Sequence, residues 1–166
     1  VLIYDADDRE GEVDLTYPAS AVTPEIVTRL RHDAGGFVCV AISNEIAERY
    51  DLPFLQEAVD HPTSEDPEFG YDDRSSFSIT VDHVETHTGI TDTDRSMTIQ
   101  ALGRTAASSE TVDFAERFRS PGHVHLLRAA PNLLEDRRGH TELAVALADA
   151  ADVVPAIVVC EMINDD

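Results

Sequence analysis

The segment Asp7-Asp8-Arg9-Glu10-Gly11-Glu12-Val13-Asp14 packs five carboxylates and one arginine into eight residues, directly after the apolar start Val1-Leu2-Ile3-Tyr4. Carboxylates held this close repel one another unless positive charge sits among them. Arg9 supplies one such charge, and a divalent cation is what would neutralise the surplus; a solvated acidic loop is the competing reading. A second group, Arg137-Arg138-Gly139-His140-Thr141-Glu142, opens a predicted helix. A helix start presents unpaired N–H groups and partial positive charge, so it attracts phosphate, and arginines add bidentate donors. The alternative there is a charged turn with an ordinary cap, and His140 reads either as a metal ligand or as a surface histidine. Glu161 follows the apolar run 156–160, where a carboxylate is costly without a partner or a task unless the strand end already turns into solvent. Two more polar clusters adjoin apolar runs, His87-Thr88-Gly89 with Asp94-Arg95, and Pro121-Gly122-His123. Together these groups describe a phosphorylated, oxygen-rich substrate held by arginines, a helix start and a hard divalent cation. Carboxylate ligands suit Mg²⁺ or Mn²⁺, and histidine and carboxylate side chains move protons.

Elements must bring these residues together. The apolar start reads as a short buried strand that emerges into the acidic loop. Thr23-Pro24-Glu25 begins a helix over 24–32, with a capping hydroxyl, proline at the first helical position and an early acid. Residues 37–42 read as a buried strand, and Ser43 caps a short helix over 44–50. Residues 51–76, acidic and with three prolines, read as an irregular surface excursion. Residues 77–82 alternate like a strand, and Thr91-Asp92-Thr93-Asp94 resembles a capping box that introduces the next helix. Pro121-Gly122 breaks the chain before a strand over 123–127; a helix over 140–151 and a strand over 156–163 follow. Strands and helices alternate loosely, which predicts a single layered α+β domain over 1–166 with a mixed β-sheet flanked by helices. The abrupt start inside a strand reads as a domain trimmed at both ends.

Composition narrows the function classes. There are 33 acidic residues against 12 basic ones, all arginine, for a formal net charge of -21. Such a surface repels nucleic acid. The apolar content of 42% falls in distinct runs, which favours folding over disorder. No run reaches the roughly 18 residues of a membrane span. Large like charge is tolerated where salt screens it, so a salt-adapted cytoplasm is expected. Cys39 and Cys160 lie in apolar runs and read as free, buried thiols in a reducing compartment.

Asp8-Arg9-Glu10-Gly11-Glu12-Val13-Asp14, Thr88-Gly89-Ile90 with Asp94-Arg95, Pro121-Gly122-His123-Val124 and Arg137-Arg138-Gly139-His140-Thr141-Glu142, in that order, resemble 3,4-dihydroxy-2-butanone 4-phosphate synthases. The similarity runs over 2–166, in a haloarchaeal-like version. It implies conversion of D-ribulose 5-phosphate to L-3,4-dihydroxy-2-butanone 4-phosphate and formate, in riboflavin biosynthesis. It also implies Mg²⁺ (or Mn²⁺) with two ions per active site, an α+β fold, and a homodimer with active sites near the subunit interface. By matching position, Glu10 and His140 resemble the metal ligands, and Arg9 and Asp14 the residues that hold the sugar. The segment with Arg137, Arg138, Gly139, His140 and Thr141 resembles the phosphate-binding loop. His123 and Glu161 match the essential acid–base pair, and Glu12, Thr88 and Cys39 match positions lining the site. Val13 departs from the glycine common in bacterial relatives, and Arg138 stands where many have a second glycine. The alternatives are another Mg²⁺-dependent sugar-phosphate isomerase or aldolase, and a non-catalytic anion- or metal-binding domain.

Overall fold

The structure, a computed structural model, describes residues 1–64, 74–110 and 112–163. Six strands form one mixed sheet: β1 (Leu2–Tyr4), β2 (Val13–Pro18), β3 (Cys39–Ile42), β4 (Phe77–His83), β5 (Phe118–Arg128) and β6 (Ala156–Glu161). Their spatial order is β1-β2-β6-β3-β5-β4. β3 and β5 run parallel, and the other neighbours run antiparallel. β3 is central because Cys39, Val40, Ala41 and Ile42 are all buried, as expected for an apolar strand covered on both faces.

The period-2 alternation of side chains divides the core into two layers. On one face Val40, Val124, Leu126 and Val158 pack against helices α1 (Pro24–Asp33) and α4 (Asp92–Ala107), through Leu30, Ile99 and Leu102. On the other face Cys39, Ala41, Ile157 and Val159 pack against helix α6 (His140–Ala150), through Ala144, Val145 and Ala148. The second layer is smaller and leaves part of its face uncovered near Cys39. Each fully buried aliphatic side chain contributes about 1.5–3 kcal/mol. Shorter helices α2 (Asn44–Arg49), α3 (Leu55–Ala58) and α5 (Phe114–Arg117) sit in the connections.

The helix starts follow the predicted caps. Thr23, Ser43 and Thr91 accept from the N–H groups of Ile26, Ile46 and Asp94 at 3.4, 3.2 and 3.0 Å. Only half of the expected capping box forms at Thr91. The Asp94 carboxylate turns instead to the N–H groups of Thr88 and Gly89, at 3.1 and 2.9 Å.

Five expectations need correction. The apolar start, read as a buried strand, is the edge strand β1, in which only Ile3 is buried. Pro121-Gly122 does not end a strand: β5 runs through it, with a cis peptide between Ser120 and Pro121. The register jumps from Val81↔Val124 to Asp82↔Arg119, so residues 120–123 bulge out of the ladder instead of breaking it. β2 was not foreseen, because its buried side chains are Asp14 and Thr16 while Val13 and Leu15 are less buried. Val13, the departure from glycine, adopts strand geometry opposite Tyr4. The excursion over 51–76 contains α3 and a helical turn, Pro62–Ser64; the rest of it, 65–73, lies outside the described residues. The strands predicted over 37–42 and 156–163 are shorter, beginning at Cys39 and ending at Glu161.

Candidate active site

A cavity of about 250 Å³ opens where the helix-poor end of the second face meets the acidic loop. Its polar wall is made by Glu10, Asp14, Glu161, His140, Thr141 and Arg137. Phe37, Cys39, Phe77, Leu127 and Val159 form its apolar side. The antiparallel β2–β6 pairing sets Asp14 opposite Glu161, so two acids 147 positions apart in sequence come from adjacent strands.

The acidic loop owes its shape to Asp5. The fully buried Asp5 carboxylate accepts from the N–H groups of Glu10 and Glu12 at 3.1 and 3.2 Å and lies 3.8 Å from the Arg9 guanidinium. This frame turns Glu10 toward α6. His140 Nδ1 stands 3.6 Å from the Glu10 carboxylate, and its Nε2 lies 3.0 Å from the Glu12 carbonyl oxygen and 4.0 Å from Asp14. Burial disfavours a charged His140 ring, but the hydrogen bond to Glu10 and the charge of Asp14 push its pKa up to about 9. The same hydrogen bond holds Glu10 below the usual carboxylate range.

The other acids shift the opposite way. Burial, ahead of the neighbouring carboxylates, pushes Asp14 up to about 6. Glu12 is pushed up to about 7, first by its hydrogen bond to Glu161, then by burial and by the negative charges of Glu161 and Glu10. The closeness of Glu161 is thus what most favours a protonated Glu12.

Helix α6 starts at His140 itself, with Gly139 in the capping position, where no side chain caps the first-turn N–H groups. Arg137 folds back over this turn. Its Nη1 donates to the fully buried Glu142 carboxylate at 2.7 Å, and that carboxylate also accepts from the Ala130 N–H at 3.0 Å. A Cβ at Gly139 would lie 2.2 Å from Arg137 Nη1, so glycine is what lets the guanidinium lie there. Arg137 also borders an adjoining depression with Phe54, Arg74 and Arg128. The arrangement sets donors for an anion beside a group of carboxylates, one of which, Glu12, is pushed up to about 7.

The model of the 3,4-dihydroxy-2-butanone 4-phosphate synthase family matches residues 1–166. The chain belongs to that family. A synthase of this name from Archaeoglobus fulgidus is 46% identical over 176 residues, covering 99% of this chain and 74% of that protein. The synthase from Methanosarcina acetivorans is 45% identical over 179 residues, covering 100% of this chain and 72% of that protein. A crystal structure of a 3,4-dihydroxy-2-butanone 4-phosphate synthase in complex with two magnesium ions superposes with a TM-score of 0.80 at 30% identity, covering 99% of this chain and 70% of that one.

Set against what the synthase resemblance implied, Glu10, Asp14, Cys39, Arg137, His140, Thr141 and Glu161 come together around the cavity. Glu12 joins them through Glu161. Gly139 backs Arg137, whereas Arg138 is exposed and Arg9 stays beneath the loop with Asp5. Thr88 and His123 do not line the cavity. They sit together beyond the β4–β5 bulge, where His123 bonds Asp82 and the Thr88-Gly89 turn closes over the same carboxylate. Burial keeps the Cys39 thiol strongly protonated, so it presents a neutral wall.

Asp5, Glu10 and His140 each offer a ligand atom, and these atoms all lie within 4.8 Å of one another. Two carboxylate oxygens and an imidazole nitrogen fit a divalent cation of the Mg²⁺ or Mn²⁺ type. The raised His140 pKa records the same demand for positive charge. Asp5 already serves the loop's N–H groups and does not line the cavity, so of the three donors Glu10 and His140 are the ones that face it. Sequence reasoning missed Asp5, Asp82, Glu142, Arg74 and the aromatic pair Phe37 and Phe77. The one available signal was an acid just before the acidic loop, at Asp5.

Proposed function

We propose that this chain is the lyase that converts D-ribulose 5-phosphate to L-3,4-dihydroxy-2-butanone 4-phosphate and formate, supplying the four-carbon unit of riboflavin. The observation that carries the reading is one cavity that gathers anion donors from Arg137 and the first turn of α6 beside Glu10, His140 and the neighbouring carboxyls Glu12 and Glu161.

The phosphate lies against Arg137, Thr141 and the open first turn of α6, and this anchors the sugar chain pointing toward β2 and β6. Asp14 accepts from sugar hydroxyls, and Arg9 holds the loop that presents Glu10. Glu10 and His140 would hold a divalent cation, which would supply fixed positive charge for the negative charge that develops on neighbouring sugar oxygens; we expect two ions per site, and a relative in complex with two magnesium ions supports this. Mn²⁺ substitutes for Mg²⁺, because an imidazole ligand suits it. The reaction needs protons removed and returned at different carbons. Glu161 is one acid–base carboxyl, and Glu12 beside it, pushed up to about 7, can give a proton at one carbon and take one at another. Cys39 excludes water as a neutral thiol.

His123 is the further acid–base group, and Thr88 lies beside it. Neither reaches the cavity of its own chain, so a second copy must bring them there. The active unit is therefore a homodimer in which each cavity is completed by the other copy's β4–β5 bulge. No helix among the described residues is long and apolar enough to cross a membrane. On the strength of its acidic surface we place the protein in a salt-rich cytoplasm, without nucleic-acid or membrane partners.

The test mixes purified protein, Mg²⁺ and ribulose 5-phosphate and assays formate and the four-carbon product. Stoichiometric formate supports the lyase. An isomerised or cleaved sugar phosphate without formate supports an isomerase or aldolase, and binding without turnover supports a non-catalytic domain.

A further inference from the structure

Asp82 is almost fully buried near the end of β4, yet no role in the reaction has fallen to it so far. Its Oδ1 accepts the backbone N–H of His123 at 2.9 Å, and its Oδ2 meets His123 Nδ1 at 2.9 Å. The Asp82 side chain is 4% exposed and that of His123 is 42% exposed. One end of the pair is thus sealed in the protein, and the other faces outward.

The surroundings leave the carboxylate no alternative position. A Cβ at Gly89, whose φ is +87°, would lie 2.1 Å from Asp82 Oδ2, and one at Gly122 would lie 2.1 Å from the carbonyl carbon of Val81. The two turns therefore close directly on Asp82 and the peptide before it. Asp94 fixes the first turn through the Thr88 and Gly89 N–H groups, and Thr80 Oγ1 fixes the second by accepting from the Gly122 N–H at 3.0 Å. The bulge at residues 120–123 is what lets one carboxylate reach both the backbone and the ring of His123.

An ionised carboxylate only accepts hydrogen bonds, so the neutral His123 ring must carry its hydrogen on Nδ1. Nε2 is then left unprotonated and directed away from Asp82. We infer that Asp82 is a positioning residue for the lyase: it fixes the tautomer and orientation of His123 so that Nε2 is the atom that takes and returns a proton. A buried acid that orients a histidine performs this task in other enzymes, where the amide variant puts the hydrogen on the wrong nitrogen. The inference rests on the reading of His123 as an acid–base group, and the experiment separates the two.

The decisive variant is Asp82→Asn. Its Oδ1 can still accept from the His123 N–H, but its amide nitrogen would donate to Nδ1 and force the hydrogen onto Nε2. ¹⁵N imidazole spectra of wild type, Asp82→Asn and His123→Ala assign the His123 signals and report which nitrogen is protonated. Formate release gives kcat and KM for the same proteins and for the double variant. The wild type should show the Nδ1–H form and Asp82→Asn the Nε2–H form. Asp82→Asn should lose about 10²- to 10⁴-fold in kcat with KM within about threefold, and the double variant should be no slower than His123→Ala alone. An Nε2–H ring in the wild type overturns the inference, and this spectrum decides it even if the Asn variant fails to fold. Loss of kcat in His123→Ala but not in Asp82→Asn also overturns it, while the reading of His123 stands. No loss in either variant sinks both.

Discussion

His140 and Glu10 face each other at 3.6 Å; burial disfavours a charged ring, but the hydrogen bond to Glu10 and the charges of Asp14 and Asp5 push its pKa up to about 9. Glu10→Gln or His140→Ala should abolish Mg²⁺-dependent formate release while leaving the circular dichroism spectrum unchanged. Either substitution should also remove the rise in unfolding midpoint that Mg²⁺ gives by binding the folded state, as differential scanning calorimetry would record. A second residue-scale prediction concerns Glu142, fully buried between Arg137 and the Ala130 N–H. Glu142→Ala leaves a partly buried guanidinium and an N–H group without that acceptor and should cost about 3–5 kcal/mol, measured by urea denaturation. Glu10 and Asp14 were singled out in the sequence as part of a crowded acidic loop, His140 as the opening of a helix and Glu161 as a carboxylate closing an apolar run, while their separate roles came from the synthase resemblance. Asp82 and Glu142 were not, since their meaning lies in partners brought to them by the fold: the backbone and ring of His123, 41 positions away, and the Ala130 N–H.

Helices α1 and α4 are tied by one ionic cluster. Asp92 accepts from Arg31 at 2.9 and 2.7 Å, from Thr28 at 2.8 Å and from Arg95 at 3.1 Å. The hydrogen bond from Arg31 outweighs burial and holds the Asp92 carboxyl far below its usual range. A depressed carboxyl stabilises the fold fully above the unfolded-state value of about 3.9, and that stability is lost as the pH falls toward the lower folded-state value. Asp92→Asn should therefore lower the urea midpoint near neutrality and flatten its acid dependence below about pH 4. A variant whose acid limb matches the wild type would remove this cluster from the account. At this scale helices α1, α2 and α4 and their caps were readable, because capping needs only local spacing, whereas the single-turn helices α3 and α5 were not. β2 was not, because a strand whose buried face is Asp14 and Thr16 inverts the apolar alternation by which strands are recognised. The β5 bulge was read as a break for a similar reason. Proline and glycine mark a departure from the ladder but not whether the strand resumes in line.

The whole molecule carries a formal charge of -21, with Asp7 and Asp8 exposed and outside any role in the cavity. Self-repulsion of that size should make the unfolding midpoint rise steadily from dilute buffer to molar KCl, with the larger part of the gain at the lower concentrations where screening changes fastest. A midpoint independent of salt would contradict salt adaptation. The division of the expected site residues between the cavity and the β4–β5 bulge was invisible in the sequence, because motifs in order along a chain say nothing of whether one copy or two assemble them. If each cavity borrows His123 from a second copy, inactive Glu10→Gln and inactive His123→Ala proteins should regain activity on mixing. Random exchange would give roughly a quarter of the wild-type rate, since a mixed dimer holds one intact site. The central claim is that this cavity splits ribulose 5-phosphate at the expense of its fourth carbon. The most direct measurement is ¹³C NMR of the purified protein with Mg²⁺ and ribulose 5-phosphate labelled at C4. The account predicts that the label appears in formate, one equivalent per substrate consumed, and that Glu10→Gln yields none; label retained in a sugar phosphate, or formate from Glu10→Gln at the wild-type rate, would contradict it.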